Sequence, residues 1–341
     1  DLKALNKNSR KKLEHYQDLF FLLQTQPQYL ARLFRRLREK NTAEKEYERI
    51  RHLMMGVFGY AQKRREEYYL VKLLARSAKE EIQSCPTLQD YVRCNSFWTR
   101  LLTAYGKSPK DRKFLREVLH GLVKEWLVDN TELDLESDPL RIYRASITNE
   151  QLRTGQIRRK PDVTTEEAIR DPETRATFIQ HLQDLRDITQ QFLSRFEECV
   201  SKMPFGIRYI AKEMYEALIS QFGNEDRGYI LQLVGQCIWR HYFRSAILEP
   251  EKHGVADSGL DPRQRRNLGE ICKVLSQVAS GRLFGAENVY LQPLNQDLGD
   301  SILRLGKIWG ESKYSIQVHH GTCLTPAFSD IRSGCGELFR H

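Results

Sequence analysis

Apolar residues recur along most of this chain with the three- and four-residue spacing of helices that bury one face. One such stretch covers residues 114–126, and a longer one runs from Phe178 to Cys199. Thr164 and Glu167 have the spacing of a capping box just before the longer stretch. No segment alternates apolar and polar residues between turn signals, as a half-buried strand would. The pattern therefore predicts an all-α protein.

Two segments break this pattern. Residues 129–163 contain Pro139, Gly155 and Pro161 among acidic residues, and we interpret them as a surface excursion. Beyond Gly310 the periodicity is lost, which predicts a poorly patterned, loosely ordered tail over 311–341. The remaining residues, 1–310, are assigned to one domain.

The charge of the chain narrows the choice of partners only slightly. The formal net charge of +9 favours an acidic protein surface, anionic lipid or nucleic acid, and composition does not choose among them. The longest aliphatic and aromatic run is five residues, too short to cross a bilayer, and no leader opens the chain, so we expect a cytoplasmic protein. Four arginines opposite the apolar residues of the second predicted helix are interpreted as a solvated face: Arg32, Arg35, Arg36 and Arg38.

The sequence contains none of the common motifs by which a protein catalyses a reaction with its own residues or cofactor. There is no glycine-rich phosphate loop, nucleophile elbow or paired-histidine metal motif. The adjacent His319 and His320, with Cys323 and Cys335, do not easily supply the four ligands of a zinc tetrahedron. The seven cysteines are scattered and odd in number, which suits free thiols in a reducing compartment. We expect no bound metal and no enzymatic turnover of its own.

A short polar stretch, residues 91–96, lies between the helix that Pro86 ends and the helix that follows. Asn95 or Ser96 can cap the second helix. Arg93 is therefore expected on a loop that helices hold at both ends. It is either an ordinary solvated arginine or one that reaches into a partner's active site, and periodicity alone favours the first.

Longer runs of sequence resemble a known family. Residues His15–Thr25, Arg65–Leu70, Met203–Lys212 and Arg265–Leu268 are similar, in the same order, to stretches of the Ras GTPase-activating (RasGAP) domain of the IQGAP-like subfamily, especially its small members of the fission-yeast type. The resemblance implies an elongated all-α RasGAP domain over 1–310. Its catalytic helical core would cover roughly residues 60–295, with flanking helices at 10–40 and 295–310.

The resemblance also implies a role for Arg93. Val92-Arg93-Cys94-Asn95-Ser96 lines up with the Phe-Arg-Gly-Asn-Ser/Thr finger loop of active RasGAP domains, whereas the IQGAP scaffolds carry threonine at the position of Arg93. Arg93 would thus be the catalytic arginine finger. The residues expected to support its loop are Val92, Cys94, Asn95, Ser96, His241 and Arg240.

Further family positions indicate the surface that would contact the GTPase. His241 stands where the family has the arginine that braces the finger loop, and Arg240 is adjacent but roughly 100° away around the helix. The residues expected to contact the GTPase are Trp239, Arg244, Lys273, Arg265 and Arg266.

The function implied by the resemblance is stimulation of GTP hydrolysis by a Ras-family GTPase, which switches off Ras signalling. The partner would be the GTP-bound GTPase, whose own GTP and Mg²⁺ are used, so that the chain needs no cofactor. A monomer recruited to the inner face of the plasma membrane through lipidated Ras is expected. The alternative is an IQGAP-like non-catalytic binding module for a GTP-loaded Rho-family (Cdc42/Rac) GTPase. A nucleic-acid or membrane-surface protein, suggested by charge alone, fits these runs of sequence poorly.

Overall fold

The structure, a computed structural model, describes residues 7–318 except Asn41 and Arg158. Within these ranges no residue lies in a strand, and the all-α prediction is confirmed. The helices are α1 (Lys7–Thr25), α2 (Pro27–Glu39), α3 (Glu44–Val57), α4 (Arg64–Ser84), α5 (Leu88–Arg93), α6 (Phe97–Tyr105), α7 (Pro109–Val123), α8 (Pro139–Thr154), α9 (Thr165–Arg170), α10 (Pro172–Cys199), α11 (Phe205–Gln221), α12 (Arg227–Ile238), α13 (Arg244–Leu248), α14 (Pro262–Ser280) and α15 (Asn295–Val318). Short 3₁₀ segments and π-helical turns join some of these helices. The 3₁₀ segments are Gly59–Ala61, Val200–Lys202 and Ala286–Leu294, and the π-helical turns are Lys124–Val128 and Trp239–Phe243.

The chain divides into two compact units. Among the described residues, unit 1 takes in those of 7–112, 202–242 and 310–318, and unit 2 takes in those of 113–201 and 243–309. The division of residues 1–310 into a core and flanking helices stays a prediction. No helix in the described part of the chain is both long and apolar enough to span a bilayer.

Helix α4 is the central element of unit 1, and α2 and α11 pack along it. Its buried stripe follows the helical spacing of Leu70, Leu74, Ala78 and Ile82, none of which is exposed. Glu81 falls on the same buried side of α4. A buried carboxylate needs a partner, and the partner of Glu81 is Arg38 of α2.

The start of α7 carries a second buried carboxylate, Asp111. Its two carboxylate oxygens accept hydrogen bonds from Tyr242 Oη at 2.6 Å and from Ser108 Oγ at 2.5 Å. Burial raises the pKa of Asp111 to about 6, and these two hydrogen bonds act in the opposite direction. The native state therefore holds a proton on Asp111 at a pH where the unfolded chain has lost it.

Replacing Asp111 by asparagine should change how stability depends on pH. Because the folded pKa lies above the unfolded one, the wild-type protein loses up to about 3 kcal/mol of unfolding free energy from this group as the pH rises from about 4 to above 6. Asp111→Asn cannot titrate, so its stability relative to wild type should rise by that amount over the same window. Chemical denaturation at several pH values measures the difference. A difference that is constant or falls with pH would contradict the prediction.

The interpretation of residues 129–163 as a surface excursion is wrong. They contain the four-turn helix α8, which begins at Pro139 with Asp138 as its cap. Tyr143 and Ile147 of α8 are buried against Ala168 of α9. Pro139 and Gly155 are helix-boundary residues instead, because Pro139 occupies the first turn and Gly155 has the positive φ of a C-cap; Pro161 lies in the connection between α8 and α9.

The segment before α8 is also fixed in unit 2, against α14. The Asn267 side chain accepts a hydrogen bond from Leu135 N–H at 2.9 Å and donates one to Leu133 O at 2.8 Å. Ser137 Oγ donates to Glu270 Oε2 at 2.7 Å. The buried side-chain amide of Asn267 thus satisfies one backbone N–H and one backbone C=O of the segment before α8.

The long helical pattern of unit 2 is confirmed with one change. Thr164 and Glu167 form the predicted capping box, but the helix they begin is the short α9. Asp171 caps the long helix α10, where the spaced apolar residues from Phe178 to Cys199 are buried. Helix α15 continues past Gly310 to Val318, and the rest of the predicted tail lies outside the described residues.

Candidate functional site: the Arg93 loop

Arg93 is the last residue of α5, a helix that Thr87 caps by accepting a hydrogen bond from Asp90 N–H at 3.1 Å. The prediction of a loop is therefore wrong for residues 91–93, which form the final turn of this helix, and right for residues 94–96. The side chain of Arg93 is exposed and makes no hydrogen bond or ion pair to any described residue. Its guanidinium is available to a partner.

The residues after Arg93 behave differently from the predicted cap. Ser96 occupies the N-cap position of α6, but its side chain makes no capping hydrogen bond and Asn95 does not substitute for it. Burial raises the pKa of Glu81, and the Ser96 side chain is one of the groups that act to lower it. Val92 and Asn95 are exposed beside Arg93, whereas Ser96 is buried.

Four side chains, here termed the Glu81 cluster, meet next to the Arg93 segment; Glu81 and Cys85 are buried, whereas Arg38 and Cys94 are partly exposed. The cluster consists of Glu81 and Cys85 from the end of α4, Arg38 from α2, and Cys94. Arg38 Nη1 lies 2.5 Å from Glu81 Oε1 and 2.7 Å from Cys94 Sγ. The thiols of Cys85 and Cys94 are 3.6 Å apart. Cys94, the residue that follows Arg93, is thus in contact with the Arg38–Glu81 ion pair and with Cys85.

The electrostatics of the cluster follow from its burial. Glu81 is only 3% exposed, and burial raises its pKa while Arg38 and the side chains of Ser96 and Cys94 act to lower it. Burial likewise raises the pKa of Cys94 to about 12, so that its sulfur is a neutral thiol near pH 7. The cluster therefore depends on Arg38 to balance the charge of Glu81.

The interpretation of Arg38 as part of a solvated face is wrong. Its side chain is 22% exposed and reaches from α2 to the Glu81 cluster. The sequence contains one signal that could have found this role: Glu81 interrupts the buried stripe of α4 close to Ala78 and Ile82, and a carboxylate there requires a cation nearby. Several arginines of α2 were candidates, and only the structure selects Arg38.

The π-helical turn Trp239–Phe243 contains three of the predicted site residues. Trp239 is 3% exposed, and its contact with a GTPase stays a prediction. Arg240 is exposed and His241 is partly exposed. Their role in supporting the Arg93 loop stays a prediction, and the support that the described residues display comes from the Glu81 cluster.

The remaining predicted contact residues lie in unit 2 and have partners within it. Lys273 Nζ is 2.8 Å from Glu270 Oε1, and Arg265 Nη2 is 2.6 Å from Glu251 Oε1. Arg266 lies 2.9 Å from Asp134. Arg244 is exposed, and its charge lowers the pKa of the Cys272 thiol against the larger effect of burial, which raises it to about 11. The three cations of these ion pairs are 38–49% exposed, so contact with a GTPase stays a prediction for all four basic residues: Arg244, Lys273, Arg265 and Arg266.

Three side chains of the Glu81 cluster are of the types that ligate metals. Glu81, Cys85 and Cys94 bring their ligand atoms within 4.8 Å of one another. The guanidinium of Arg38 already contacts two of these groups, so the cluster contains its own cation. The residues considered for zinc in the sequence, from His319 onward, lie outside the described residues.

Comparison with known proteins gives a family and several relatives. The family model described as "GTPase-activator protein for Ras-like GTPase" matches residues 73–280, a range that includes Arg93. Human "Ras GTPase-activating-like protein IQGAP2" is 32% identical over 317 residues, which cover 91% of this chain and 20% of the relative. "Ras GTPase-activating-like protein rgaA" of Dictyostelium discoideum is 29% identical over 289 residues, covering 84% and 34% respectively.

A fission-yeast relative extends the same pattern. "Ras GTPase-activating-like protein rng2" of Schizosaccharomyces pombe is 27% identical over 296 residues, covering 86% of this chain and 20% of the relative. The resemblance seen in the sequence is thereby confirmed. The chain spans between a fifth and a third of the length of these relatives.

Proposed function

Because this chain belongs to the RasGAP family, we propose that it binds a GTP-loaded small GTPase and that Arg93 stimulates hydrolysis of the bound GTP. The chain acts as an activator and has no substrate turnover of its own. The observation that supports catalysis is the placement of Arg93: an exposed guanidinium without a partner among the described residues, at the end of a capped helix and directly before Cys94, whose sulfur lies 2.7 Å from Arg38.

The chemistry that Arg93 would supply follows from the needs of the partner. During phosphoryl transfer, negative charge accumulates on the oxygens of the γ-phosphate, and the GTPase provides Mg²⁺ and a water-positioning residue for the rest of the reaction. A guanidinium from outside offsets this charge and can bridge two oxygens with its planar fork. Glu81 and Arg38 hold the neighbouring Cys94, so less motion must be lost when Arg93 enters the partner's site.

A second function is favoured by the comparisons. The relatives that match most of the chain are IQGAP-like proteins, and their resemblance supports a non-catalytic module that holds a GTP-loaded Rho-family GTPase better than it supports catalysis on Ras. This candidate accounts for binding but gives no task to Arg93. The two functions differ in one measurable quantity, the rate of GTP hydrolysis in the complex.

A single-turnover assay of phosphate release separates the two functions. Ras, Rap, Rho, Rac and Cdc42 proteins loaded with GTP would be mixed with excess chain, and binding of each would be measured in parallel with a non-hydrolysable analogue. Accelerated release from a Ras-type protein is the expected result. Binding to any member of the panel without acceleration would reject catalysis and support the second function, and lack of binding to all would reject both.

The proposal extends to the setting of the reaction. The partner's GTP and Mg²⁺ suffice, so the chain would act without a cofactor of its own. It would work in the cytoplasm as a monomer and reach the inner face of the plasma membrane through the lipid anchor of its GTPase. Activity on a purified GTPase that carries only its own GTP and Mg²⁺, without membrane, tests the first part of this proposal.

A further inference from the structure

Two thiols bracket the short segment that carries Arg93. Cys85 follows the last residue of α4, and Cys94 follows the last residue of α5, so residues 86–93 form a loop and helix closed by this pair. The two Sγ atoms are 3.6 Å apart and neither cysteine is in a disulfide. A disulfide bond requires about 2.05 Å, so a movement of roughly 1.5 Å would join them.

We propose that Cys85 and Cys94 are a redox modification site, and that a reversible disulfide between them moves the Arg93 segment and lowers the stimulation of GTP hydrolysis. The effect on hydrolysis rests on the function proposed above, whereas the disulfide and the movement do not. The two cysteines are nine residues apart in sequence and belong to the same unit, so the bond closes a small ring around Arg93.

The oxidant in this proposal is a hydroperoxide. One cysteine thiolate attacks a peroxide oxygen, the O–O bond breaks, and with hydrogen peroxide the products are a sulfenic acid and hydroxide. The second thiol attacks the sulfenic sulfur, the S–S bond forms, and the displaced hydroxyl leaves as water with the proton of that thiol. In sum, two thiols and one hydrogen peroxide give one disulfide and two waters, and two electrons pass from sulfur to oxygen. A dithiol reductant reverses the change.

The surroundings of the pair determine access and speed. Cys94 is partly exposed and offers a route for a small peroxide, while Cys85 is 3% exposed and is positioned to attack second. Since burial raises the pKa of Cys94 to about 12, its thiolate is scarce at neutral pH. The oxidation should therefore be slow near pH 7 and faster as the pH rises.

The new bond would disturb the support of Arg93. Arg38 Nη1 lies 2.7 Å from Cys94 Sγ and 4.0 Å from Cys85 Sγ, so the bond would form beside the guanidinium, and closing the 3.6 Å gap between the sulfurs requires Cys94 or Cys85 to move. Arg93 is adjacent to Cys94 in the chain, so its backbone follows when Cys94 moves. A misplacement of about 1 Å in a catalytic group can cost on the order of 10²-fold in rate.

The test uses the full chain treated with hydrogen peroxide at mildly alkaline pH, followed by alkylation of the remaining thiols. Mass spectrometry of peptides from a protease that does not cut at arginine should find Cys85 linked to Cys94. Separately, limited trypsin digestion reports on the segment, because the bond after Arg93 is a trypsin site; oxidation should cause loss of this cleavage. Stimulation of a GTPase that the reduced chain activates should fall by roughly 10–100-fold and recover with dithiothreitol.

Matched variants separate the pair from general oxidation. Cys85→Ala should lose both responses to peroxide, whereas Cys272→Ala, which removes another buried thiol, should keep them. Absence of the linked peptide under excess peroxide would overturn the modification site. A linked peptide with unchanged cleavage after Arg93 would overturn the movement. If the reduced chain activates no GTPase, the proposed function fails, and the linked peptide and the cleavage still decide this inference.

Discussion

Replacement of Arg93 by alanine is expected to abolish the stimulation of GTP hydrolysis while binding of the GTP-loaded GTPase is largely retained. Arg93 makes no hydrogen bond or ion pair with the described residues of its own chain, so its removal should leave the fold intact. Arginine fingers of Ras GTPase activators as a class contribute roughly 10³–10⁵-fold to the rate of hydrolysis, and we adopt that general magnitude for this member of the family. A loss of at least about 10³-fold in the single-turnover rate is therefore the expected result.

Two control variants make the Arg93 experiment specific. Arg93→Lys keeps the positive charge but not the planar fork, so it should restore only a small part of the stimulation. Arg153→Ala removes an exposed arginine of α8 that likewise has no ion pair among the described residues, and it should match the wild type. Equal stimulation by Arg93→Ala and wild type would remove Arg93 from the mechanism. If Arg93→Ala and wild type both bind the GTPase tightly and neither stimulates hydrolysis, the non-catalytic binding module is the function.

The sequence predicts those parts of the fold in which burial follows helical periodicity. The apolar positions of α10 repeat regularly along the helix, and the structure buries them as expected. Helix α8 escapes this prediction although Ile142, Tyr143 and Ile147 have helical spacing. The reason is that Pro139, Gly155 and Pro161 indicate an irregular segment. The burial of Tyr143 and Ile147 depends on Ala168 of α9, a contact between elements that a local pattern does not contain.

The candidate site shows the same division between local and tertiary information. The run of residues around Arg93 is a local feature, and its resemblance to a finger loop could be read directly from the sequence. The support of that loop could not, since Arg38 is 56 residues away from Cys94 and belongs to a helix whose arginines look alike in sequence. Trp239 shows what a resemblance leaves open: it indicates a position in a family motif, but it does not state how exposed the side chain is, and Trp239 is 3% exposed.

Arg38→Ala is expected to cause the largest loss of stability among the substitutions considered. Arg38 is the ion-pair partner of Glu81 within the Glu81 cluster, and Glu81 is 3% exposed. Removing one partner leaves a buried charge without compensation, at a cost of about 3 kcal/mol in unfolding free energy near pH 7. Arg36→Ala, which removes an exposed arginine from the same helix, should change it by less than about 0.5 kcal/mol.

The pH dependence identifies the cause of this loss. Burial already raises the pKa of Glu81, and Arg38 acts against that rise. Without Arg38 the folded pKa lies further above the unfolded value, so the variant loses stability as the pH rises through that interval and regains it when Glu81 is protonated. The deficit relative to wild type should therefore shrink toward pH about 4. A deficit independent of pH would indicate lost packing and not an uncompensated charge.

The double variant Arg38→Ala/Glu81→Gln separates the support of the Arg93 loop from the stability of the fold. Glutamine carries no charge, so most of the lost unfolding free energy should return. The guanidinium that contacts Cys94 is still absent in the double variant, however, so the Arg93 loop remains less restrained. Trypsin should therefore cut after Arg93 faster than in wild type. Stimulation of the GTPase should stay reduced even when the GTPase is saturated with the variant. If stimulation returns together with stability, Arg38 serves the fold alone. If stability returns and stimulation does not, Arg38 is a positioning residue that acts on Arg93 through Cys94, 2.7 Å from its guanidinium.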